Sequence, residues 1–274
     1  MTDAPTTDDP VTQQARTATK LDREEALRWL RRWDDQQGTY FVDREGRFAV
    51  IADVVQACVR RDDPLIVDLG VGPGSLASRL LRQLPGATVV GVDLDPLLLG
   101  LAESAYSSGR FRVVAADLSE TGWLRRLDLD RAPDAFVSTT ALHWLPGAAL
   151  ATVVHEAVGA LTPGGVFVDG DHFYEPGSEP RLDDVRRQVA AAGVRRTGRV
   201  DGEDWSTWWA AAQAAPELAE LAARRERLAF AARADDDRPP ATREELTAAL
   251  RAAGCAEAGA VWQHGDDYVM VGVR

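Results

Sequence analysis

Ile66-Val67-Asp68-Leu69-Gly70-Val71-Gly72-Pro73-Gly74 decides how this chain reads. An apolar run, a buried strand over 65–67, ends in an acid and turns through three glycines. Ser75-Leu76-Ala77-Ser78-Arg79-Leu80-Leu81 follows with the spacing of a helix. Such a turn lets backbone touch a ligand with no Cβ in between. The dinucleotide fingerprint is G-x-G-x-x-G; here Gly74 arrives one residue early and Ser75 holds the third glycine's position. Pro73 also lacks the N–H that a diphosphate cradle would use. The loop therefore suits a nucleoside ligand without a diphosphate and disfavours a nicotinamide dinucleotide.

Further strands follow in order. A β-branched run over 87–92 ends at Asp93, 25 residues after Asp68, and a run over 111–116 ends in Asp117-Leu118. Ala135-Phe136-Val137-Ser138-Thr139-Thr140-Ala141-Leu142-His143-Trp144 and Leu161-Thr162-Pro163-Gly164-Gly165-Val166-Phe167-Val168 come next. Strand alternating with helix from 65 to 171 argues for a parallel sheet covered on both faces. Taken together, these segments resemble the class I S-adenosylmethionine-dependent methyltransferases. The fourth-strand motif resembles their small-molecule members of the trans-aconitate type. The resemblance covers roughly residues 62–171.

That resemblance implies an α/β, Rossmann-like, doubly wound sheet of seven strands, mostly parallel with an antiparallel last strand, plus a helical lid. It implies S-adenosylmethionine as cofactor and S-adenosylhomocysteine as product. Asp68, Gly70, Gly72 and Gly74 would meet the methionine part, with Asp68 receiving the ammonium or bonding the turn's own N–H groups. Asp93 would take the ribose hydroxyls, two charge-assisted bonds from one carboxylate; the capping of the helix opening at Pro96 falls better to Asp95. Leu94 would lie against the adenine, and Asp117 and Leu118 would receive its edge, unless Asp117 caps a short helix. Thr139 would stand beside the cofactor at the end of the fourth strand.

On the acceptor side, His143 reads as a general base, an acceptor anchor or a packed core residue, and His172 as a weaker candidate. Tyr40, Trp144, Trp205, Trp208 and Trp209 are candidates for an acceptor pocket; for the last three, plain packing of the cap is the alternative. Asp169 and Asp171 share one face of a strand and His172 takes the other, so a metal site is not expected.

The chain has 274 residues, a formal charge of −12 and a sequence pI near 4.8. That balance repels polyanions, so neither nucleic acid nor a membrane surface is an expected partner. No run of 18 apolar residues and no charged-then-apolar leader occurs, and the two cysteines, Cys58 and Cys255, make no disulfide framework. A cytoplasmic location is the expectation.

The expected organisation is a disordered tail over 1–18, an N-terminal helical lid segment over 19–63 and the cofactor-binding core over 64–171. A helical insertion or cap follows over 172–240, with an alanine-rich helix to about 234 and a linker over 235–240. A last helix and closing strand pair fill 241–274, the helix opened by a capping box from Thr242 to Glu245. The expected activity is in-line methyl transfer to a small organic acceptor. A peptide or other macromolecular acceptor, or a non-catalytic S-adenosylmethionine-binding subunit, are the alternatives.

Overall fold

Seven strands form one sheet in the order β3-β2-β1-β4-β5-β7-β6 in the computed structural model, which describes residues 21–198, 202–228 and 241–274. The expected tail over 1–18 and the linker over 235–240 lie outside the described residues. The strands are β1 Leu65–Leu69, β2 Thr88–Asp93, β3 Phe111–Ala115, β4 Ala135–Thr139, β5 Val166–His172, β6 Glu257–His264 and β7 Asp267–Val273. Strands β1 to β5 pair in parallel; β7 runs antiparallel to both β5 and β6. The sheet is the expected one.

β1 is buried at every residue, as a central strand covered on both faces must be. Alternation sends Ile66, Val137 and Val168 to one face, where α2 (Arg44–Cys58) and α3 (Ser75–Gln83) cover them with Phe48, Ile51 and Leu80. Val67, Leu69, Phe136 and Phe167 take the other face, under α5 (Gly147–Ala160) and α9 (Arg243–Ala252). Strand order reverses between β1 and β4, so their carboxyl ends open a crevice, the usual ligand position in sheets of this kind.

A third apolar cluster joins α1 (Arg23–Gln37), α4 (Pro96–Tyr106), α7 (Trp205–Ala214) and α8 (Ala219–Arg227). The cap therefore divides. α6 (Pro180–Thr197) packs beside β6, whereas α7 and α8 lie on α1 and α4. The single alanine-rich helix expected from the sequence is broken at Pro216, where a 3₁₀ turn, Pro216–Leu218, separates α7 from α8. Proline has no N–H for the preceding turn and its ring crowds the carbonyl there, which stops a helix. Within the expected helical segment α2 begins at Arg44, because Asp43 caps it through the N–H of Gly46. Thr242 and Glu245 do form the expected capping box.

Candidate functional site

The glycine turn is held by its neighbour strand. The N–H groups of Gly70 and Val71 both donate to the carbonyl of Val92, at 2.8 and 3.0 Å, and that of Gly72 donates to Asp93 Oδ2 at 2.8 Å. Gly70 has φ +68°, and a Cβ there would stand 2.2 Å from the Cβ of Ala141. Only glycine allows the β1 and β4 loops to press together in this way. Asp93 Oδ1 receives the N–H groups of Leu94 and Asp95 at 2.7 and 2.9 Å. Burial pushes the Asp93 carboxyl up to about 6, with the N–H groups of Asp95 and Gly72 pulling the other way. Asp95 caps α4 through the N–H groups of Leu97 and Leu98, as expected, and receives Arg225 Nε of α8 at 2.6 Å.

Asp68 stands at the base of this turn, wholly buried; among the described residues neither carboxylate oxygen makes a hydrogen bond of good geometry, and the backbone N–H of Ala77 is the one donor that acts on it. Burial, with the charge of Asp93 added, holds its pKa well above the ordinary carboxylate range. Asp117 follows β3 and accepts from the N–H and Oγ of Ser119 at 2.9 and 2.6 Å; Ala116 N–H ties that turn to the carbonyl of Asp93. Leu94 and Leu118 are half-buried on these two turns. Thr139 ends β4, beside the strand of Asp68, with its Oγ1 buried and unpartnered. Asp68, Asp93, Asp117, Thr139 and the glycines thus line one end of the sheet.

His143 leaves the same end in a short 3₁₀ turn, Leu142–Trp144. Its Nδ1 lies 2.8 Å from Asp171 Oδ2 and 3.0 Å from Oδ1. An ionised carboxylate only accepts, so the neutral ring carries its proton on Nδ1 and leaves Nε2 as the basic nitrogen. Burial works to lower the His143 pKa, but the Asp171 charge and bond outweigh it and the net shift is upward. Asp171 is held below the ordinary carboxylate range, because His143 overcomes the effect of burial. His172 stacks on Phe41 at 4.6 Å and places Nδ1 3.4 Å from Asp266. Trp144 is 63% exposed beside His143, and the hydroxyl of half-exposed Tyr40 accepts the N–H of Trp205 at 3.1 Å.

Trp208 and Trp209 sit elsewhere. Trp208 has no exposed surface and meets Trp29 and Trp33 edge-on at 5.7 and 4.8 Å; Trp209 meets Trp33 at 6.2 Å and carries Arg225 over its ring at 3.8 Å. Their acceptor-wall assignment gives way to packing of the cap, and of the three only Trp205 is exposed, at 42%.

Two residues escape the sequence reading. Asp171 appears there only as an unsuitable metal ligand; its pairing follows from β4 and β5 being neighbours in the sheet. Arg47 is fully buried against Asp267, although an arginine at helical spacing normally reads as solvated. Among the described residues, no three His, Cys, Asp or Glu side chains stand together as a metal site, and no helix is long and apolar enough to cross a membrane.

Comparison with known proteins agrees with this geometry. Residues 66–165 match the model of a methyltransferase domain family. A trans-aconitate 2-methyltransferase of Methylobacterium radiotolerans is 31% identical over 163 residues, 59% of this chain and 56% of that protein. One from Azoarcus sp. is 35% identical over 135 residues, 49% of this chain and 48% of that protein. The chain thus matches about half the length of these curated relatives. An O-methyltransferase family 2 protein of Planctomyces limnophilus, solved in complex with apigenin, superposes with a TM-score of 0.52. That superposition is at 15% identity and covers 92% of this chain and 61% of the other; it speaks for the fold. Sheet order, glycine turn and family match converge on a methyltransferase domain over residues 66–165, built on the doubly wound sheet that such domains share.

Proposed function

We propose that this chain is a cytoplasmic S-adenosylmethionine-dependent methyltransferase acting on a small organic acceptor. The observation that carries the cofactor assignment is Asp68. A carboxylate stripped of water and left without a hydrogen bond of good geometry is costly, and a cationic ligand group at the glycine turn removes that cost. Asp93 supports the ribose, since each of its oxygens keeps accepting capacity beyond the backbone bonds it already receives. The bound cofactor supplies a sulfonium-activated methyl group.

The chain's own work is then alignment and proton handling. His143 Nε2 stands free at the lip of β4 to take a proton from a hydroxyl or ammonium acceptor, while Asp171 fixes the tautomer and stabilises the imidazolium that results. Placing acceptor and methyl group in line supplies much of the rate. The exposed aromatic rings of Tyr40, Trp144 and Trp205 support an acceptor rim suited to a small organic molecule. The relatives' names favour such an acceptor over a peptide.

Calorimetry with S-adenosylhomocysteine and NAD tests the first half: binding of the former alone is expected. Incubation with methyl-labelled cofactor and fractionated small metabolites tests the second. Label appearing only in protein would overturn the small-acceptor reading, and no transfer to any fraction would favour a non-catalytic binding subunit.

A further inference from the structure

Arg47 belongs to the site but has no part in the chemistry above. Its stem crosses β5 where that strand has no side chain: a Cβ on Gly170 would lie 2.9 Å from Arg47 Cδ. Nη1 donates to Asp267 Oδ1 at 2.7 Å, and the guanidinium lies 4.4 Å from the Phe41 ring centre. Nε and Nη2 are buried and donate to nothing in the protein. Those two nitrogens form one edge of the guanidinium. Their N–H bonds point the same way and match the two oxygens of a carboxylate.

Buried charged donors are ordinarily all bonded, so a dry, open fork calls for a partner. Asp169 does not supply it, although its Oδ1 is also unpartnered. Alternation along β5 puts Asp169 on the face of Phe167, whereas Arg47 approaches the opposite face over Gly170. On Arg47's own face, Gly170 pairs with Thr139, and Asp68 lies one strand further on, beside Val137. A carboxylate short of donors, a free hydroxyl and a free guanidinium edge thus share one face at the strand ends. They are complementary to a ligand that carries an ammonium and a carboxylate.

We infer that the Nε–Nη2 edge of Arg47 binds a ligand carboxylate, drawn either from the amino-acid end of the cofactor or from the acceptor. The inference rests on the methyltransferase reading. Two variants test it. Arg47→Lys keeps the charge and loses the fork; Arg47→Met combined with Asp267→Asn removes both partners of the ion pair, and thermal melting checks that each is folded. Calorimetry compares S-adenosylhomocysteine with 5′-methylthioadenosine, which has the nucleoside and thioether but no amino acid. Trans-aconitate added to the S-adenosylhomocysteine-saturated protein serves as the acceptor-side carboxylate probe.

If the cofactor is the source, S-adenosylhomocysteine affinity falls by at least about tenfold while methylthioadenosine affinity holds. If the acceptor is the source, both nucleosides bind as before and trans-aconitate binding is lost. Parallel weakening of both nucleosides, or no weakening of any probe, overturns the inference and leaves Arg47 a packing residue. A wild-type chain that binds neither nucleoside would refute the cofactor reading itself, and this inference with it.

Discussion

The imidazole of His143 and the carboxylate of Asp171 meet 2.8 Å apart across the ends of two adjacent parallel strands. The pair ties proton affinity at the lip of the sheet to a buried charge. A base must be unprotonated to act, and the Asp171 charge raises the His143 pKa above the usual 6.5. The rising limb of kcat/KM against pH is therefore expected above 6.5. In Asp171→Asn burial acts unopposed, so the limb should move to lower pH as the plateau falls. His143→Gln should lower turnover about 10²-fold or more with cofactor affinity kept. A pH profile unmoved by Asp171→Asn would separate this acid from the proton transfer.

The ribose contact proposed for Asp93 should give cofactor binding its own pH dependence. With the carboxyl at about 6, the folded protein holds a proton that the unfolded chain releases near 3.8. The contribution of this group to stability is therefore present at low pH and lost as pH rises through about 6. The ionised carboxylate accepts more strongly from ribose hydroxyls than the neutral acid, so on this proposal affinity should weaken as pH falls below about 6. Asp93→Asn should bind more weakly, by about tenfold, with little change across this range, as isothermal titration at several pH values would reveal.

Gly70 joins the β1 and β4 loops. Alanine at that position meets both a left-handed backbone and the Cβ of Ala141 at 2.2 Å. The conformational cost and the overpacking together should destabilise the protein by about 2–5 kcal/mol. Denaturant titration measures that loss, and cofactor affinity should fall in whatever fraction remains folded. A Gly70→Ala variant of full stability would mean that the two loops can separate freely.

Trp208 offers a contrast with the acceptor rim. Having no exposed surface, it should behave as core: Trp208→Ala is expected to cost about 3–5 kcal/mol of stability. Trp205→Ala, in an exposed position, should leave stability nearly intact and raise the acceptor's KM. A Trp208→Ala protein with wild-type melting and a raised KM would restore the pocket-wall assignment.

Most of the sheet could be read directly, because each parallel strand is a short apolar run closed by an acid or a glycine turn. Asp68, Asp93 and Asp117 close three of these runs, and Asp95 announces itself as a cap by preceding Pro96. What escaped depends on neighbours distant in sequence. Asp171 faces His143 only because β5 lies beside β4, and Arg47 is buried only because Gly170 and Asp267 make room and charge for it. The cap resisted for a related reason. Trp205-Ser206-Thr207-Trp208-Trp209 shows helical spacing but does not say which helix will cover it, and the answer, α1, lies at the other end of the chain.

That answer gives the molecule a built-in optical reporter. Four of its eight tryptophans, Trp29, Trp33, Trp208 and Trp209, meet nearly edge-on, with neighbouring ring centres 4.8 to 6.2 Å apart. Indoles this close share their electronic transitions, so the seam between α1 and α7 should show an exciton couplet in far-ultraviolet circular dichroism. Separation of the seam would shrink the couplet to what the Trp208–Trp209 pair within α7 supports, and leave the backbone signal of the sheet intact. Docking of the cap can thus be followed in solution with no label attached.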